Sequence, residues 1–185
     1  GSSNGGGVAL DFALEHPEMV NALILAGPSL SGYHFSEERR QKISRIRSAA
    51  QEGPISCAVR ELLDDPHWAP AIKNTSARDK VRLMLEEGLL RLRSVGPIGN
   101  LMVLPEPPAI RRLSEVRAPT LVVIGERDDT DNHAIAALLE EHVAGARKVV
   151  VGGAGHMVNI EKPEDLNRLV LDFLSKESQL RGAEA

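Results

Sequence analysis

Gly1-Ser2-Ser3-Asn4-Gly5-Gly6-Gly7-Val8-Ala9-Leu10 is the stretch that decides how the chain is read. Residues 1–5 spell Gly-x-Ser-x-Gly, the pattern of a serine set on a sharp turn between a strand and a helix. The backbone is strained there, and the residues two before and two after the serine come into close contact, which glycine tolerates because it has no Cβ. The apolar run from Val8 to Leu14 suits a short helix buried against a sheet, stopped at Pro17. The strand that should deliver Ser3 into its turn would precede Gly1, so the sequence is expected to be the second half of a longer protein. A Gly/Ser leader of no structural meaning is the competing reading of Gly1-Ser2-Ser3; the unbroken continuation into a glycine-rich helix weighs against it.

Working outward, Ala22-Leu23-Ile24-Leu25-Ala26 is a continuous apolar run closed by Gly27-Pro28, the mark of a parallel strand covered on both faces. Residues 30–108 then turn charged, helical and proline-punctuated. Three helices are expected here: residues 36–51 with Ser36 as N-cap, 54–63, and 77–93 with Val81, Met84, Leu85, Gly88, Leu89 and Leu92 on one stripe. Past Pro105, Pro107 and Pro108 the alternation of strand and helix resumes. Ala118–Gly125 reads as a buried strand, and Asn132 or Asp131 can cap a helix with Ile135, Leu138, Leu139 and Val143 inside. Lys148–Val151 is the last strand. Pro163 opens a final helix with Leu166, Leu169, Val170, Phe173 and Leu174 inward, followed by a polar tail over 176–185.

Composition narrows the function classes. The chain has 185 residues, 42% hydrophobic and 26% charged, with a net charge of −4, as for an ordinary globular domain. Basic and acidic residues are interleaved, so no face suits a phosphate backbone and nucleic acid is not an expected partner. The longest apolar runs fall far short of a membrane helix. Cys57 is the only cysteine, which rules out an internal disulfide and fits a reducing, cytoplasmic setting. Its place in the helical insert, with no histidine partner indicated, leads us to expect a small core residue rather than a second nucleophile.

Three residues carry chemistry. Serine is a poor nucleophile at neutral pH and needs a base within hydrogen-bond reach, held in the useful tautomer by an orienting acid. Ser3, His156 in Gly153-Ala154-Gly155-His156 and Asp128 in Gly125-Glu126-Arg127-Asp128 occur in the order nucleophile, acid, base along the chain once sorted by position. Each follows an expected strand, so all three project from the carboxyl edge of one parallel sheet, where ligands bind in open α/β folds. Asp129 and Asp131 compete with Asp128 for the acid's place, and all three could merely cap the next helix. The acidic loop lacks the further ligands a metal site needs, and no cofactor is expected. Among the other histidines, His16, His133 and His142 read as surface or helix-end residues. His34, Trp68 beside His67, and Met157 after the histidine loop are candidates to line a substrate pocket, though Trp68 could equally anchor an insert helix and Met157 pack beneath the loop.

The elbow and its helix through His16-Pro17-Glu18, the strand from Pro119 to Asp128, and Gly153–His156 followed by Glu161-Lys162-Pro163-Glu164 together resemble the α/β-hydrolase superfamily. The closest flavour is that of small bacterial esterases, 3-oxoadipate enol-lactonases and carbon–carbon bond hydrolases. The resemblance implies an α/β-hydrolase fold in partial form, with core segments 1–29 and 109–175 and a helical cap over 30–108. It also implies a serine hydrolase acting on a small ester or lactone through Ser3, His156 and Asp128, with the backbone N–H of Asn4 in the oxyanion hole. A second oxyanion donor would come from a loop outside this chain, and the chain alone is expected to fold poorly with its sheet edge unpaired. A ligand-binding member of the fold with a vestigial triad, and an inactive truncated product, remain open beside the enzyme. Oligomeric state and substrate are not readable.

Overall fold

The computed structural model describes residues 1–68, 75–95 and 105–184, with the backbone alone for 75–77, 92, 95 and 180–184. Residues 69–74 and 96–104 of the expected insert lie outside the described residues, as do Pro70 and the side chain of Leu92 on the expected stripe.

Three parallel strands, β1 (Leu23–Ala26), β2 (Thr120–Gly125) and β3 (Arg147–Val151), pair in the order β1-β2-β3. The register sets Leu25 against Val122 and Val123 against Val149. Every residue of β2 is buried, as its unbroken apolar run requires of a strand covered on both faces. Because side chains alternate along a strand, the run feeds two cores. Val122 and Ile124 join Leu10, Ala13 and Leu14 of helix α1 (Asn4–Glu15) and Ile135 and Leu139 of helix α5 (Thr130–His142). Leu121 and Val123 face the other way, toward Val158 of α6 (Val158–Glu161) and Phe173 of α7 (Pro163–Glu184). Gly1–Ser3 extends the sheet on the far side of β1: Ala26 N donates to Gly1 O at 2.9 Å, and Ser3 N to Ala26 O at 3.0 Å.

Helix α7 does not stop where a polar tail was expected. It continues to Glu184, because the Lys, Glu, Ser, Gln, Leu and Arg beyond 175 are mostly good helix formers even without an apolar face to bury. Leu174 is partly exposed while Phe173 is buried.

Between β1 and β2 lie α2 (Glu37–Glu52), α3 (Ile55–Leu63) and α4 (Thr75–Val95), packed on one another. Ser36 caps α2 by accepting from Arg39 N, as its position before a charged first turn predicts. The α4 stripe is narrower than its spacing suggests: Val81 is buried and Leu85 packs against it, but Met84 is 46% exposed. The apolar neighbours gathered there, Leu63, Trp68, Met157 and Ile160, centre on Val81 and do not reach the whole stripe.

Candidate active site

The site is built at the carboxyl edge of the sheet, where the chain leaves each strand. Ser3 has φ 52° and ψ −125°, and among the described residues it is the one non-glycine with positive φ. Such a conformation costs on the order of 1–3 kcal/mol and persists only when neighbours fix it. Here they do: Ser3 N donates to Ala26 O, while Ser3 O accepts from Gly6, Gly7 and Ser29 N–H groups. A Cβ on Gly1 would strike the Gly5 carbonyl, whereas one on Gly5 would meet open space. The tight flank of the turn is therefore Gly1 alone. Asn4 opens α1, so its N–H has no intrahelical acceptor, and Asn4 borders the cavity described below.

The three neighbouring aspartates take three different tasks. Asp128 is buried, and its Oδ2 lies 3.0 Å from His156 Nδ1. Asp129 caps α5, accepting from Asn132 N at 3.0 Å, and pairs with Arg39. Asp131 turns to the other side, where it accepts from Ser36 Oγ at 2.7 Å, Ser36 N at 3.2 Å and Tyr33 Oη at 3.2 Å. The helix cap thus differs from the Asn132 or Asp131 expected. With β2 ending at Gly125, Asp129 is the residue whose extended backbone just precedes the helix. Burial, then the nearby Asp131 carboxylate, holds the Tyr33 phenol above its usual range, so it stays a neutral donor.

His156, also buried, places Nε2 at 2.9 Å from Ser3 Oγ. A proton on Nδ1 donating to Asp128 leaves Nε2 free to accept from the serine hydroxyl, so one tautomer satisfies both contacts. The loop backbone that carries the ring is held as well: His156 N donates to His67 O at 2.8 Å and Met157 N to Trp68 O at 3.1 Å. Gly27, at φ 51°, passes so close that a Cβ there would lie 3.1 Å from His156 Nδ1.

A cavity of about 380 Å³ opens over Ser3 and His156, a size suited to a small organic molecule. Helix α2 forms its roof with Arg39, Lys42, Ile43, Ile46 and Arg47, spaced three and four apart and therefore on one helical face. Trp68 lines it, as does His67. His34 is exposed and Met157 packs against Val81 and Trp68; neither is among the lining residues. Sequence reasoning placed both by proximity along the chain, which does not fix side-chain direction. It missed the α2 face and Asn132, whose Nδ2 lies 2.7 Å from Asp128 Oδ1 and 3.0 Å from His156 Nδ1. The signal for Asn132 was present in its place four residues after Asp128 at a helix start.

A fold of this kind with this rim defines a class. The model of the alpha/beta hydrolase family matches residues 1–169, and the chain belongs to that family. It is 28% identical over 192 residues to the 2-hydroxy-6-oxo-6-phenylhexa-2,4-dienoate hydrolase of Comamonas testosteroni, covering 94% of this chain and 61% of that protein. A 2-hydroxy-6-oxononadienedioate/2-hydroxy-6-oxononatrienedioate hydrolase of Burkholderia vietnamiensis is 28% identical over 95% of this chain and 61% of its own length. Among solved structures, MenH from S. aureus superposes with a TM-score of 0.75 at 20% identity, over 96% of this chain and 67% of that one. The chain thus spans somewhat under two thirds of these two curated relatives. Among the described residues, no helix is long and apolar enough to cross a membrane.

Proposed function

We propose that the protein carrying this chain is a serine hydrolase of small carbonyl substrates, esters or lactones, working through an acyl-enzyme. Ser3 is the nucleophile, His156 the base and Asp128 the orienting acid. The observation that carries this reading is the unbroken relay of 2.9 Å from Ser3 Oγ to His156 Nε2 and 3.0 Å from His156 Nδ1 to Asp128 Oδ2. In the forward step the Ser3 oxygen attacks the carbonyl carbon while its proton passes to Nε2, and Asp128 steadies the imidazolium formed. The Asn4 N–H donates to the oxyanion, and the proton on Nε2 goes to the leaving oxygen. Water then repeats the sequence and frees the acid.

Residues 30–108 serve as the cap that selects the substrate. Arg39 is tied to Asp129 and Lys42 to Asp65, while Arg47 reaches the cavity with no ion-pair partner among the described residues. A substrate carrying a carboxylate away from the reacting carbonyl suits that excess of positive charge, and the relatives named above are hydrolases of a dienoate and of dienedioates and trienedioates. The test is covalent labelling of the full-length protein by a serine-reactive phosphonate. Wild type is expected to label and Ser3→Ala to stay unlabelled; labelling that survives in Ser3→Ala would overturn the assignment.

A further inference from the structure

Asn132 has a place in this rim that helix capping does not explain. Its backbone N–H takes part in the α5 cap by donating to Asp129, but its side chain is 2% exposed and turned inward. The amide Nδ2 donates to Asp128 Oδ1 at 2.7 Å, and that same oxygen accepts from Asp129 N at 2.8 Å. The other oxygen, Oδ2, receives His156 Nδ1–H at 3.0 Å.

The carboxylate is therefore gripped from both sides. Two neutral N–H donors hold Oδ1, the imidazole holds Oδ2, and among the described residues no lysine or arginine pairs with Asp128. A buried carboxylate without a cation depends on such donors to stay ionised and in one rotamer. Of the two on Oδ1, the Asp129 amide is part of the loop backbone. Asn132 is the side chain that sets the rotation about the Asp128 Cβ–Cγ bond. Its Nδ2 also sits 3.0 Å from His156 Nδ1, so the amide and ring N–H groups lie side by side, one aimed at each carboxylate oxygen.

Resting on the hydrolase reading above, we infer that Asn132 is a positioning residue of the reaction, acting through Asp128 to aim His156 at Ser3. Without it, Oδ1 keeps one donor, the carboxylate can rotate, and Oδ2 no longer tracks Nδ1 as the ring gains a proton. The loss falls on the transition state, in which the imidazolium forms, and not on substrate binding.

The test uses the full-length protein with p-nitrophenyl acetate. Asn132→Leu deletes the donors at similar volume, and Asn132→Ala is the second variant should the leucine prevent a cooperative melt. A hydrogen bond to a charged group is worth enough that kcat is expected to fall roughly 10- to 100-fold with KM within about twofold. The downfield exchangeable proton resonance of the His156–Asp128 bond is expected to move upfield. A folded variant that keeps wild-type kcat and that resonance unmoved overturns the inference while leaving the Ser3 reading intact. A wild type that neither turns over the ester nor labels at Ser3 sinks both.

Discussion

The loops at the carboxyl edge of the sheet and the helices that roof them are held by different means. Around the rim, β2 is buried end to end and Asp128, Asn132 and His156 sit among residues of two apolar cores. In α2, α3 and α4 the buried apolar residues among those described are Ala50, Ala58, Val59 and Val81, all of them alanine or valine. What fastens the roof to the rim is largely polar: Asp131 to Ser36 and Tyr33, Arg39 to Asp129, His67 Nδ1 to Arg127 O, and the backbone bonds from His156 and Met157 to His67 and Trp68, beside one small apolar cluster in which Met157 and Ile160 meet Val81, Leu85 and Trp68. The difference teaches where precision and adaptability reside. The Ser3–His156–Asp128 geometry sits on densely packed strand ends, which have low compressibility, while the cavity-facing side of α2 is tied down mainly by polar bonds that can be broken one at a time.

The comparison breaks first at the rim. Asp128→Asn keeps the volume but reverses the partner offered to Nδ1, and kcat for ester hydrolysis is expected to fall on the order of 10⁴-fold with little change in melting temperature. Asp131→Ala tests the fastening instead. It strips Ser36 N, Ser36 Oγ and Tyr33 Oη of their acceptor, which should cost about 1–3 kcal/mol in denaturant unfolding and raise KM more than it lowers kcat.

Acidification sharpens the same contrast. Burial alone would push the Asp65 carboxyl up, but the Lys42 bond, the His67 N–H and the Lys42 charge outweigh it and hold the carboxyl below its ordinary value. A depressed carboxyl stabilises the fold above its unfolded pKa and loses that contribution as pH falls through the folded one. Melting temperature should therefore drop through the acidic carboxylate range, and Asp65→Asn should flatten part of that drop. The smallest effect is expected of Arg47→Gln. Because Arg47 is exposed at the cavity mouth, the preference for an ester bearing a remote carboxylate over its neutral analogue should fall only roughly two- to fivefold, and less in high salt.

Much of this arrangement could be read before any coordinates. The strands at 23–26 and 120–125 follow from short, continuous apolar runs closed by glycine, which a doubly covered parallel sheet can bury; the third, at 147–151, is read from Val149-Val150-Val151 before a glycine pair and is buried only at Val151. Three aspartates within four residues were another matter. Asp128, Asp129 and Asp131 share composition and neighbourhood, yet they diverge to a partner of His156, a cap with an arginine, and a roof clasp. Their directions depend on where β2 ends and α5 begins, and a one-residue shift of that boundary rotates every side chain by about 100°.

By itself the sequence determined the alternation of buried strands and amphipathic helices, the strained serine turn, and which residue types could meet at one edge, because periodicity and glycine placement are local properties. Only the tertiary structure decided which aspartate faces His156, that Asn132 grips the same carboxylate, and that the face Arg39–Arg47 of α2 looks down on Ser3. Those are distances between segments remote in the chain, fixed by how strand ends and helices pack, and no local pattern encodes them.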